Sequence, residues 1–352
     1  MTKKLKKLPF RDNQAWVSYL HPFTIVRSDR EPDFTVPLEQ INTNSYDHGK
    51  LCKVVTTLPL GASSPLAVLV CFDGALAIPR IKSFGTEDLV LNRFNHILCA
   101  LLLGGVLCEA VDRRDIVWGE LHERRCIWPV NPGESLNSHI HCQLRMRMAS
   151  SFDTIRLSTP SNIAVSAFLT AFRQGGAVLE ALGGFTPTFL LRGFTALRYH
   201  NWSDALANLW ICVEQLTSTV WARRFIKDSS LHPAHVKRRL DSLANDSRTW
   251  STSVRQEILW QIHAINENVF TNLFPARKAR NDLVHEGATP EPAIVHSLYD
   301  AVVSLIEDVS GVKPLGITRL RSRYERTHGQ SPVGDFDEWK LITKDVDAKN
   351  RH

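Results

Sequence analysis

The sequence predicts an α+β protein: a mixed α/β domain over residues 1–154, an all-α helical bundle over 155–312, and a basic, mixed-charge tail over 313–352. Two observations carry that division. In the first part, short β-rich runs alternate with Gly, Pro and Ser, and one long apolar helix pattern interrupts them. From about residue 155 the texture becomes continuous helix, with segment after segment of 3.6-residue periodicity joined by short polar connections.

The elements follow in order. "LCKVVTTLPL" (51–60) and "LAVLVCFDG" (66–74) read as strands. "GTEDLVLNRFNHILCALLLGG" (85–105) reads as a helix with Thr86 as N-cap, acidic residues in its first turn and Gly104-Gly105 as its stop. Leu89, Phe94, Ile97, Leu98 and Leu101 form its apolar face. "VLCEAVDRRDIVWGEL" (106–121) and "SHIHCQLRMRM" (138–148) read as further strands. In the second, Ile140, Cys142, Leu144, Met146 and Met148 alternate with His139, His141, Gln143, Arg145 and Arg147, the pattern of a half-buried strand with a basic outer face. Helices are expected in 161–174, 186–200, 201–226, 233–246 and 253–274. Ile258, Ile262, Ile265, Val269 and Leu273 form one buried stripe along the last of these. Pro275 is expected to open a new helix that stops at Gly287, and a final helix runs from a Thr289 cap to Gly311.

Composition narrows the function classes. With 43% hydrophobic and 22% charged residues the chain has no disorder signature. A net charge of +6 favours a polyanionic partner. Seven cysteines, with no Cys-x-x-Cys pair, sit mostly in apolar runs and read as reduced, buried thiols in a cytoplasmic protein. The longest apolar run (97–108) is too short to span a bilayer, and the basic start lacks the apolar core of a signal peptide, so no membrane association is expected.

The stretch with most chemical content is "RKARNDLVHEG" (277–287). Its Arg-x4-His spacing is uninformative alone, since roughly one such pair is expected by chance and "RYERTH" (323–328) is a second. Context separates the two. Leu283 and Val284 can anchor 280–285 on a core, whereas the tail has no apolar period. On a helix, Asn281 and His285 fall within about 40° of each other, with Arg277 one turn before Asn281 on the same stripe. Arg280 lies well round the helix from His285, which favours a site shared across a two-fold axis.

A polar residue after the Arg, then the His, and a Gly-terminated helix resemble the HEPN superfamily. The Trp- and Glu-containing helix "DALANLWICVEQL" (204–216) upstream is similar to the second helix of its ApeA-like branch. The resemblance covers about residues 155–312. It implies a homodimeric, metal-independent endoribonuclease without cofactor, acting in antiviral defence or as a toxin. The N-terminal domain would then answer to a phage or host protein trigger. The chemistry suits the residues. His285 would be general base or acid, since imidazole titrates near neutrality. Arg280 would neutralise charge on the phosphoryl oxygens, and Asn281 would fix the histidine tautomer or the phosphate. The 2′-hydroxyl attack would leave a 2′,3′-cyclic phosphate. Glu214, alone on an apolar helix face, would orient Arg280, with Arg277 in support. The competing expectation is a non-catalytic HEPN module for dimerisation and for nucleotide or partner binding.

Arg223 and Arg224, with Lys237, Arg238 and Arg239 of "HPAHVKRR" (232–239), form a candidate RNA-backbone track. His139, His141 and Cys142 are of zinc-ligand type, but no second cluster completes a site, so no metal is expected.

Overall fold

The computed structural model describes residues 13–61, 64–147, 155–228, 232, 236 and 238–323. The described residues up to Leu320 form one compact unit, and it combines sheet and helices as the α+β class requires.

The sheet has six antiparallel strands in the order β3-β4-β5-β1-β6-β7. These are β1 (Gln14–Tyr19), β3 (Val54–Pro59), β4 (Ala67–Cys71), β5 (Ala75–Pro79), β6 (Val117–His122) and β7 (Cys126–Pro129). Its outer strands curl towards each other. Lys53 bridges Cys126, Val54 N donates to Arg125 O at 2.7 Å, and Ile127 N donates to Cys52 O at 3.0 Å. Both edges are thereby paired. Val17, Tyr19, Ala77, Val117 and Ile127 point inward from alternate positions and form a core with Cys142. The expected strand at 106–121 is realised only over Val117–His122.

The largest departure lies at 138–148. Residues Leu136–Met146 form a helix, not a strand. We number it α4, after the short α1 (Leu38–Asn42), α2 (His48–Leu51) and the long α3 (Glu87–Leu103). Ser135 caps α4 by accepting from Ser138 N at 3.1 Å. The two-residue alternation is accidental. The residues buried together are Ile140 with Leu144 and His141 with Arg145, both pairs one helical turn apart. His141 and Arg145 are thus fully buried rather than on a basic outer face, and Met148 lies outside the described residues.

The helical part starts later than expected. Ser161–Ala164 form strand β8, which pairs in parallel with β2 (Thr24–Arg27). Then come α5 (Val165–Leu182), α6 (Pro187–Arg198), α7 (Trp202–Val220), a π-helical turn (Trp221–Ile226), α8 (Arg239–Asn245), α9 (Thr252–Gln261), α10 (Glu267–Glu286) and α11 (Pro292–Ser310). No described helix is long and apolar enough to cross a membrane.

The N-terminal helix α3 belongs to this helical layer. It packs on α5 and α6, and Phe94, Ile97, Leu98 and Leu101 are buried as expected, while Leu89 is about half exposed. Gly104 and Gly175 make the approach possible. A Cβ at either would overlap the backbone of Ala171 or Ala100 respectively. The first residues of the expected tail are also part of this core, with Leu315, Ile317 and Leu320 buried and Gly316 against Gly104.

The single helix expected over 253–274 is two. It breaks after Gln261, where His263 adopts φ 57°, and restarts at an Asn266 cap that accepts from Val269 N at 2.8 Å. Ile265, Val269 and Leu273 keep their places in the buried stripe, but Ile258 and Ile262 are only half-buried. Pro275 sits inside α10 instead of opening a helix. Burial of Leu273, Ala276 and Ala279 among α7, α9 and α11 holds the helix through it, against the missing N–H and ring crowding that proline brings. Pro275→Ala should therefore raise unfolding stability by about 1–3 kcal/mol, read from urea denaturation. The final helix starts at Pro292 with Glu291, not Thr289, in the cap position.

Candidate functional site

The last three turns of α10 present the motif. Its buried face is Val269, Leu273, Ala276 and Ala279, so Arg280, next round the helix, is half-buried, while Asn281 and His285 face solvent. Gly287 ends the helix at φ 70°, donating to Leu283 O at 3.1 Å. The expectation that Leu283 and Val284 anchor this segment fails in part, because Leu283 is half-buried and Val284 is 59% exposed. The small Ala276 and Ala279 carry the packing instead.

Arg280 Nη1 donates to Asn281 Oδ1 at 3.4 Å, and Arg277 lays its guanidinium over the exposed Phe274 ring at 5.2 Å. Ideal geometry separates Arg280 from His285 by about 140°. Phe274, Arg277, Asn281, Val284 and His285 share an arc of about 100°. One protomer therefore offers the His and Asn together, beside two exposed apolar side chains, with the Arg turned away.

Glu214 does not reach Arg280. It lies half-buried on α7, and its Oε1 accepts from Trp210 Nε1 at 2.8 Å, one turn earlier. Among the described residues the two form no ion pair. Glu214 instead lines an open groove of about 670 Å³ with Arg223 and Lys227.

The basic track is dispersed. Arg223 donates to Val309 O at 3.1 Å and to Ala181 O at 2.7 Å, so it ties the last turns of α11 and α5. Arg224 projects from the π-helical turn, whose Trp221 and Phe225 stack in the core at 4.0 Å. Arg238 is left-handed at φ 58° and caps α8, which begins at Arg239, so Arg238 stands outside the helix expected to contain it. Lys237 lies outside the described residues.

Two buried ionic clusters were not anticipated. In the first, Arg145 Nε donates to Asp73 Oδ2 at 2.7 Å, Arg145 Nη2 to Asp73 Oδ1 at 2.5 Å, and Arg145 Nη1 to Ile127 O at 2.9 Å. His141 Nδ1 donates to Asp73 Oδ2 at 3.1 Å, its ring stacked between Tyr19 and Phe23. A carboxylate only accepts, so the proton is on Nδ1, and the buried Nε2 has no partner among the described residues. Burial alone would raise the Asp73 carboxyl, but the Arg145 charge and the bonds from His141 and Arg145 hold it well below the carboxylate range. Burial lowers His141 despite Asp73, keeping the ring neutral. Burial likewise pushes the thiols of Cys52 and Cys71 up to about 12. All seven cysteines are free.

In the second cluster, Glu109 takes His21 Nδ1 at 2.8 Å, the Tyr199 hydroxyl at 2.9 Å and the Arg198 guanidinium. Burial opposes its ionisation, yet His21 and Arg198 lower its pKa all the same. It ties the β1–β2 turn to the end of α6. The signal for both clusters was an acidic residue inside an apolar run, Asp73 in "VLVCFDG" and Glu109 in "VLCEAV". Among the described residues no group of three His, Cys, Asp or Glu could hold a metal. Scans of protein-family models, of curated proteins and of solved structures give no match to this chain.

Proposed function

We propose that the protein is a metal-independent endoribonuclease of HEPN type whose active site is completed across a homodimer. The observation that carries this is the solvent face of α10, where Asn281 and His285 stand one turn apart between exposed Phe274 and Val284. Exposed apolar side chains around polar head groups are what a dimer seam would cover. Across such a seam the partner's α10 brings its own Arg280 towards His285, removing the 140° separation within one helix. His285 then moves the proton between the 2′-hydroxyl and the leaving 5′-oxygen. Arg280 neutralises the phosphoryl oxygens, and Asn281 positions one of the two.

The test is complementation in the presence of EDTA. His285→Ala and Arg280→Ala should each lower RNA cleavage by about 10²–10⁴-fold while remaining dimeric by sedimentation. Mixed and allowed to exchange subunits, they should recover part of the activity, because one seam of the heterodimer keeps both groups. Normal cleavage by His285→Ala would refute the site. A mixture as inert as its components would refute the shared arrangement.

A further inference from the structure

We propose that the cleft at the α9–α10 break binds a nucleotide with a guanine base, separately from the chemistry at the other end of α10. The open cleft has a volume of about 910 Å³ and is lined by Arg224, Trp260, His263, Glu267 and Asp308, among others. That is the size of a small-molecule site. It adjoins a cavity of about 190 Å³ that shares Arg224, Ala264 and Asp308. Glu267, at one wall, is 18 residues from His285 on the same helix, hence about 27 Å away.

Two local irregularities make the cleft. The left-handed His263 turns the chain between α9 and α10, closed by Ala264 N donating to Leu259 O at 2.8 Å. Opposite, the π-helical turn buries Trp221 and Phe225 and so sends Arg224 outward. π-turns recur at functional positions because they cost regular hydrogen bonding.

The lining chemistry selects the ligand class. Trp260 is half-buried and one face of its indole stacks on Phe270, centroids 5.0 Å apart and planes 11° apart. Trp260 also lines the cleft, and its half-buried indole is the apolar ring there on which a planar base would stack. The side chains of Arg224, His263, Glu267 and Asp308 make no hydrogen bond or ion pair with any described residue. Two free carboxylates beside a stacking platform accept from adjacent N–H donors. Guanine is the base that offers a ring N–H next to an exocyclic amine. One unpaired guanidinium suits the phosphate. The same chemistry is met by a free guanosine nucleotide and by a guanosine within single-stranded RNA.

Calorimetric titration of the full-length protein with GMP, IMP and UMP, and with an RNA hexamer carrying one internal G, tests this. GMP should bind, and IMP, which lacks only the 2-amino group, should bind about tenfold more weakly. Arg224→Gln and Asp308→Asn should each weaken GMP about tenfold. Both side chains are exposed, so these variants should fold. His285→Ala should bind GMP as wild type does, which keeps this site's fate distinct from that of the nuclease. Competition by the hexamer identifies RNA as the source, and its absence alongside GMP binding identifies the free nucleotide. Failure of both GMP and hexamer to bind at millimolar concentration overturns the proposal. So does equal affinity for GMP, IMP and UMP, or indifference to both cleft variants.

Discussion

Replacing Asp73 with Ala should cost the fold about 3–5 kcal/mol, because it leaves the fully buried Arg145 charge without its counter-ion. Arg145 has no route to solvent, and Ile127 O alone cannot balance it. Urea denaturation should show the midpoint falling with the slope unchanged. Adding Arg145→Met to Asp73→Ala should recover much of the loss, since removing both charges also removes their desolvation. A loss under about 1 kcal/mol for Asp73→Ala would mean that water reaches the cluster, against the complete burial of Arg145. The same groups set an acid limit. His141 is depressed when folded, so its contribution is complete above the unfolded value of about 6.5 and declines as pH falls below it. Asp73 is depressed too, so its contribution starts to fall near pH 4, by about 1.4 kcal/mol per pH unit, until the folded carboxyl itself protonates. Stability measured from pH 8 to pH 3 should thus fall in two stages, and His141→Gln should shrink the first, to which His96, also depressed by burial, contributes as well.

Gly175→Ala should destabilise the protein by about 3 kcal/mol, while Gly176→Ala, one residue on, should be neutral or stabilising by up to about 1 kcal/mol. Both glycines lie within α5. The added methyl at 175 would overlap the Ala100 carbonyl on α3, a backbone atom that cannot rotate away, whereas nothing lies within 4 Å of one at 176. Thermal unfolding of the two variants reads the difference directly. Equal behaviour would mean that α3 and α5 separate easily, which the reciprocal overlap between Gly104 and Ala171 argues against.

Where one periodicity governs the sequence, it governs the structure. The buried face of α3, the end of α10 at Gly287 and the end of α11 at Gly311 were all legible, because apolar spacing and a left-handed glycine are local signals. The identity of α4 was not. Its alternation of types satisfied a strand, and the partner that makes His141 and Arg145 interior residues, Asp73, is 68 and 72 residues away. The break at His263 and the passage of α10 through Pro275 were hidden for a related reason. Burial of Leu273, Ala276 and Ala279 against α7 and α11 carries α10 through Pro275, and those partner helices are set by the fold and not by the local sequence. At the candidate site, the common face of Asn281 and His285 follows from helical spacing. The capture of Glu214 by Trp210 and of Arg223 by two helix ends was within reach only in part. The Trp210–Glu214 spacing of four was visible, but the carbonyls that Arg223 binds were not.

The position of α3 bears on how the chain is made. Seventeen residues long, with ten of them buried, it leaves the ribosome well before α5 and α6, the helices that cover it. Until residue 182 completes α5 this helix lacks its main native partner, and until residue 198 completes α6 its cover is unfinished. The apolar face of α3 is therefore one of the surfaces the nascent chain leaves uncovered until then. The burial of α3 can be completed only once α5 and α6 have been made.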